Sequence, residues 1–350
     1  MKQKITTKHV FFMFILQILL SIIFTIITIF APDNDLFVLL NFGFAQLATI
    51  IAVSFIVKIK KLDFWDAVPI KKRKISWPIL ALMPVIAIAL LAQNALLMNG
   101  FDALMVKLNL AADTPIPDVA MNPVVLIGAL LFIGIIPPIV EEMFFRGVVM
   151  SALKTRGTTY AIIVSSIIFA LSHQNAAQLV HQFIGGLVVA YVVAKTDNLW
   201  YGIAIHLTNN IIAVFLLLSD WWASLTDMST KSIITMVIMT VLGTAILVGC
   251  FIAFKKLREK EAKKLEESEI QDILQPELSP SINDDIQQNT ICADAITEEP
   301  EIEHKPISKI KKILQKNRCI CFNCLCIFYV FNYYEHRYEY YHKRYGIRFS

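Results

Sequence analysis

Three pairs of side chains, each spaced four residues apart, carry most of the chemistry open to this chain. Glu142 and Arg146 form one pair within Glu141-Glu142-Met143-Phe144-Phe145-Arg146; Phe169 and His173 form the second, and His206 and Asn210 the third. On an α-helix this spacing puts both members on one face. An ion pair between Glu142 and Arg146 neutralises one carboxylate and leaves Glu141 over. Glu141 is turned about 100° from Glu142 around the helix axis, so both can face a cavity without competing for one partner. A carboxylate kept from bulk water suits general-base work near neutral pH. Taken singly, each feature has a structural reading. A Glu–Arg pair can be a clamp, a lone His a hydrogen-bonded packing residue, and Asn210 glue between helices. Together on consecutive segments they point to a site.

All of these residues lie in apolar runs. The 350-residue chain is 56% hydrophobic and 17% charged, with mean hydropathy +0.60; a soluble domain carries about 25% charged residues. Runs of about 20 apolar residues recur, the length that crosses about 30 Å of hydrocarbon as helix. The chain reads as all-α, a polytopic membrane helical bundle of about eight transmembrane helices, at 10–30, 36–57, 77–98, 123–145, 160–175, 178–194, 199–218 and 232–254. Ionisable groups at membrane depth are costly, usually face the bundle interior in pairs, and mark function. Spans four to seven hold nearly all of them: Glu141, Glu142, Arg146, His173, His181 and His206, with Asn209 and Asn210.

Pro137-Pro138 breaks the backbone ladder and predicts a kink in span four. A broken helix at membrane depth is tolerated where it lines a wet cavity. The carboxylates then sit near the start of the second half-helix, where its dipole favours anions. Arg156-Gly157 makes a turn; Glu141 lies 15 residues before Arg156 and His173 lies 17 after it, so a hairpin brings them to similar depth. His206 is about eight residues past the Asp197-Asn198 turn and reaches that depth only if the turn lies deeper or span seven starts inside the membrane. His181 reads as a packing or cavity-lining residue.

In this order, each on its own span, the three patterns resemble the CPBP family of intramembrane proteases. That family includes the type II CAAX prenyl proteases and bacterial bacteriocin-processing or immunity homologues. The resemblance covers roughly residues 122–218 and implies a glutamic endopeptidase (a hydrolase). By the same resemblance Glu141 is the general base that activates water, and His173 helps to position that water. His206 and Asn210 stabilise the oxyanion, while Glu142 and Arg146 hold the geometry. No cofactor is then required. The alternative is a catalytic zinc held by Glu141, His173 and His206 with water in the fourth place, although the H-E-x-x-H helix signature is absent. Two rival functions are a non-catalytic membrane binding or immunity protein and a proton-coupled transporter, which the broken span fits but the lack of an internal repeat does not. The expected partners are a membrane-embedded or membrane-associated peptide or protein substrate and the lipid bilayer. Net charge is +4, with the positive residues at the ends of apolar runs, so nucleic acid is not expected.

Lys58, Lys60, Lys61, Lys71, Lys72, Arg73 and Lys74 follow span two, whereas 31–35 before it holds no Lys or Arg. The positive-inside rule then places the N-terminus of this multi-pass cell-membrane protein in the cytoplasm, and eight spans return the C-terminus there. Lys107 is the single exception. The chain divides into helices one to three (1–121), a CPBP-like core (122–218), a last helix with a juxtamembrane segment (219–258) and a disordered tail rich in Cys and Tyr (259–350). Four of six cysteines fall at Cys319, Cys321, Cys324 and Cys326, and the membrane part holds only Cys250, so no disulfide framework is implied there.

Overall fold

The computed structural model describes residues 3–29, 35–70, 74–110, 122–219, 224–225 and 228–274. Residues 31–34 and 71–73, which entered the charge argument, lie outside them, as does 275–350 with its cysteine and tyrosine clusters.

Each of the eight apolar segments forms a helix, because in lipid every backbone polar group must be satisfied within its own segment. They are α1 (Thr7–Ile29), α2 (Asp35–Ile59), α3 (Trp77–Lys107), α4 (Pro123–Arg156), α5 (Thr158–Ser172), α6 (Leu179–Thr196), α7 (Leu199–Leu216) and α8 (Thr230–Leu274). Seven are long and apolar enough to cross a membrane; the exception is α5, with 15 residues. At 1.5 Å per residue α5 is about 22 Å long, short of the hydrocarbon thickness.

Helix α5 forms a hairpin with α6 through residues 173–178, where Ala177 is buried and Gln174 is exposed. Helices α1 and α2 form a second hairpin, while α3 runs along both α8 and α7. At the α3–α8 crossing, a Cβ on Gly243 would lie 2.4 Å from the Gln93 backbone nitrogen and 2.8 Å from the Ala89 carbonyl oxygen. Only glycine allows that backbone-to-backbone approach, a common device where helices meet in lipid. The core centres on the second half of α4, where Val148, Val149 and Met150 are fully buried against Met13, Ile86, Ala161 and Val192. Ile18, Leu19, Ile234 and Val241 point outward, as a lipid-facing surface requires.

Helix α4 runs past the sequence-based end at 145 to Arg156, and it is not uniform. Two π-helical stretches, Leu130–Ile135 and Met143–Val149, flank an α-helical segment, Ile136–Glu142. Pro137 and Pro138 open that segment. Neither has an N–H, so the Ile133 carbonyl can receive neither an i+4 nor an i+5 bond. The Asn210 carboxamide on α7 donates to it instead, at 2.9 Å. The break predicted at the prolines is thus taken up by a π-helical stretch and a side-chain cap.

Several connections meet at one end of the bundle. Gln3 N–H donates to the Lys61 carbonyl (3.0 Å) and Leu199 N–H to the Pro69 carbonyl (3.0 Å), while Lys154 lies 3.5 Å from Asp197. Helix α8 continues unbroken past the 258/259 boundary drawn from sequence, to Leu274. Its charged stretch is built from good helix formers, with Lys255 and Glu259 facing each other at 4.0 Å.

Candidate active site

The two neighbouring glutamates sit in different surroundings. Glu142 is fully buried, and its Oε1 lies 3.0 Å from Arg146 Nη1 and 2.8 Å from His206 Nδ1. The 3.0 Å approach is an ion pair, while the aligned hydrogen bond from Arg146 runs from Nη2 to the Gly186 carbonyl at 3.3 Å. The guanidinium also lies over the Phe169 ring, 4.2 Å from its centre, a geometry that stabilises a desolvated cation. A charge buried this deeply is tolerable only with such a set of partners.

Glu141 is the accessible member, its side chain 18% exposed against 0% for Glu142. It lines a cavity of about 470 Å³, together with Arg146, His173, His206 and Asn210. His181 lines the same cavity. Glu141 Oε2 is 3.8 Å from His206 Nε2, so the His206 ring lies between the two carboxylates and is hydrogen-bonded to Glu142 alone of the two. Helix α7 thus delivers His206 to the depth of Glu141, which its short distance from the Asp197 turn had left open.

Ring orientations follow from which atoms can donate. His173 Nδ1 is 2.9 Å from the Phe169 carbonyl; a carbonyl only accepts, so Nδ1 carries the proton and Nε2 is an acceptor in the neutral ring. His206 Nδ1 likewise donates to the Glu142 carboxylate, so a second donation, from Nε2, needs the doubly protonated ring. Phe169 is the hub that sets these angles. Its ring meets His173, His206 and Phe145 edge-on, at centroid distances of 4.9, 5.7 and 5.2 Å.

Two cavity-lining residues come from helices the sequence reading had set aside as nearly free of polar groups. Gln46 on α2 donates from Nε2 to Glu141 Oε1 at 2.9 Å. Asn94 on α3 is 8% exposed and lines the same cavity. The signal available in sequence was the few carboxamides within long apolar runs, Asn41 and Gln46 in α2 and Gln93, Asn94 and Asn99 in α3, each of which has to find a partner at that depth. As for a metal, Glu141 Oε1 is engaged by Gln46 and His206 Nδ1 by Glu142. Among the described residues no three His, Cys, Asp or Glu side chains converge as a metal-binding group.

Residues 123–212 match the family model described as Rce1-like, type II CAAX prenyl endopeptidase Rce1-like. YdiL of Bacillus subtilis (strain 168), named as a candidate membrane peptidase, is 30% identical over 99 residues, which is 28% of this chain and 41% of that relative. The chain thus spans less than half the length of this curated relative. No solved structure matches significantly. All six residues singled out from sequence fall within the matched segment, whereas Gln46 and Asn94 fall outside it.

Proposed function

We propose, from the match of residues 123–212 to the Rce1-like endopeptidase model and the resemblance to the CPBP family of intramembrane proteases, that this multi-pass membrane protein is a glutamic endopeptidase. It hydrolyses a peptide bond of a membrane-associated peptide or protein. The observation that carries the reading is the division of labour between adjacent carboxylates. Glu142 is sealed between Arg146 and His206, while Glu141 opens onto the cavity with Oε2 free of hydrogen bonds among the described residues.

In this reading a water lies between Glu141 Oε2 and His173 Nε2. Glu141 takes one of its protons as the oxygen attacks the substrate carbonyl carbon. The electron pair of the C=O bond moves to oxygen, and that oxyanion receives donation from Nε2 of the His206 ring in its doubly protonated form and from the second N–H of the Asn210 carboxamide. Collapse breaks the C–N bond, and the proton held on Glu141 passes to the leaving nitrogen. Glu142 and Arg146 act through His206, which they hold in place. No metal or other cofactor takes part. The bundle end that carries Lys61, Lys154 and the N-terminus faces the cytoplasm, which protease protection of an N-terminal epitope tag would check.

The test is cleavage of a quenched fluorescent peptide library in detergent by wild type, Glu141→Ala, and wild type with a strong chelator. The expected result is a loss of about 10²–10⁴-fold in Glu141→Ala, with activity retained under chelator. Loss in both arms would point to a metal. Equal signal in all samples would sink the protease reading in favour of binding or transport.

A further inference from the structure

We propose that Gln46, on α2 and outside the segment matched to the family, is a positioning residue that fixes which oxygen of Glu141 acts as the base; this rests on the endopeptidase reading. Among the described residues Gln46 makes the one side-chain hydrogen bond that Glu141 receives, Nε2 to Oε1 at 2.9 Å across 95 positions of sequence. The other near group, His206 Nε2, is 3.8 Å from Oε2, beyond hydrogen-bond length. A glutamate carries three rotatable bonds, and an unanchored carboxylate can present either oxygen at many angles. Donation from Gln46 occupies Oε1 and turns Oε2 toward His206 and the cavity.

The contact is built, not incidental. Gln46 is 9% exposed, so its amide works in a dry setting where donation to a carboxylate is strong. Three residues earlier, a Cβ on Gly43 would lie 2.9 Å from the Phe132 ring. The α2 backbone is thus seated directly on the first π-helical stretch of α4, which sets how far Gln46 can reach. Gln46 Oε1 is buried and makes no bond within the protein. The consequence is that the N-terminal helices do more than anchor a catalytic core, because the matched segment alone lacks the donor that orients its own base.

The experiment uses the full chain in detergent and compares wild type, Gln46→Met, Gln46→Ala, Glu141→Ala and Thr49→Val. Methionine keeps the length of glutamine without a donor. Thr49 is a buried neighbour that bonds only to its own helix, through the Ala45 carbonyl. Each kcat is divided by the folded fraction read from a thermal melt. Gln46→Met and Gln46→Ala should lower kcat by about 10- to 100-fold with KM within about twofold, while Thr49→Val leaves kcat unchanged. Unchanged kcat in both Gln46 variants would overturn the proposal while leaving the protease reading intact. So would a raised KM at wild-type kcat, the signature of a substrate contact. Absence of cleavage by wild type would overturn the protease reading, and the role of Gln46 with it.

Discussion

Removing both partners of the buried Glu142–Arg146 pair should cost well under the sum of removing each alone. In Arg146→Met, Glu142 stays fully buried with its charge and keeps only the His206 contact, while the Gly186 carbonyl loses its donor and Phe169 its cation. Stranding a buried charge costs about 3–5 kcal/mol. Glu142→Gln strands Arg146 instead, and should cost about 3 kcal/mol because Phe169 and Gly186 still hold the guanidinium. The double variant buries no unpaired charge. Its cost should fall short of the sum of the singles by about 3 kcal/mol, a coupling well outside the scatter of independent sites. The assay is a double-mutant cycle by reversible unfolding in mixed detergent micelles. Additivity of the two single effects to within about 0.5 kcal/mol would refute the pairing. So would an Arg146→Met protein less than 1 kcal/mol below wild type, since that leaves no stranded charge to relieve.

Two other outcomes are expected. Asn210→Leu leaves the Ile133 carbonyl without a donor and should cost about 1–3 kcal/mol; adding Pro137→Ala restores an N–H at the i+4 position, so it should recover stability in that background and not in wild type, and equal effects in both backgrounds would sink the capping argument. Deletion of 261–350 should leave membrane insertion, the melting temperature and peptide cleavage unchanged, whereas failure to insert would overturn the view that the membrane bundle is self-sufficient.

Features set by local spacing were legible in the sequence. Apolar run length gave the helices, the four-residue spacing gave the Glu142–Arg146 pair, and the Arg156-Gly157 turn brought Glu141 and His173 to one cavity. Contacts between distant segments were not. Nothing in the α2 run names Glu141 as the partner of Gln46, and nothing near His206 shows that its Nδ1 goes to Glu142, 64 residues away. The prolines were legible as a break, but its repair needed a donor from another helix. The length of α8 was hidden because the change from apolar to charged residues at 255 ends the apolar run without ending helix propensity.

The two π-helical stretches bear on how chains of this architecture can change length. A π-turn holds about one residue more than an α-turn while the helix on either side stays in phase. A single residue lost from Leu130–Ile135 or Met143–Val149 would tighten a wide turn into an ordinary one and leave the flanking faces where they are. The same loss within Ile136–Glu142 would swing the carboxylates about 100° away from Gln46 and His206. Insertions and deletions are therefore buffered on either side of the catalytic turn and lethal to its geometry within it.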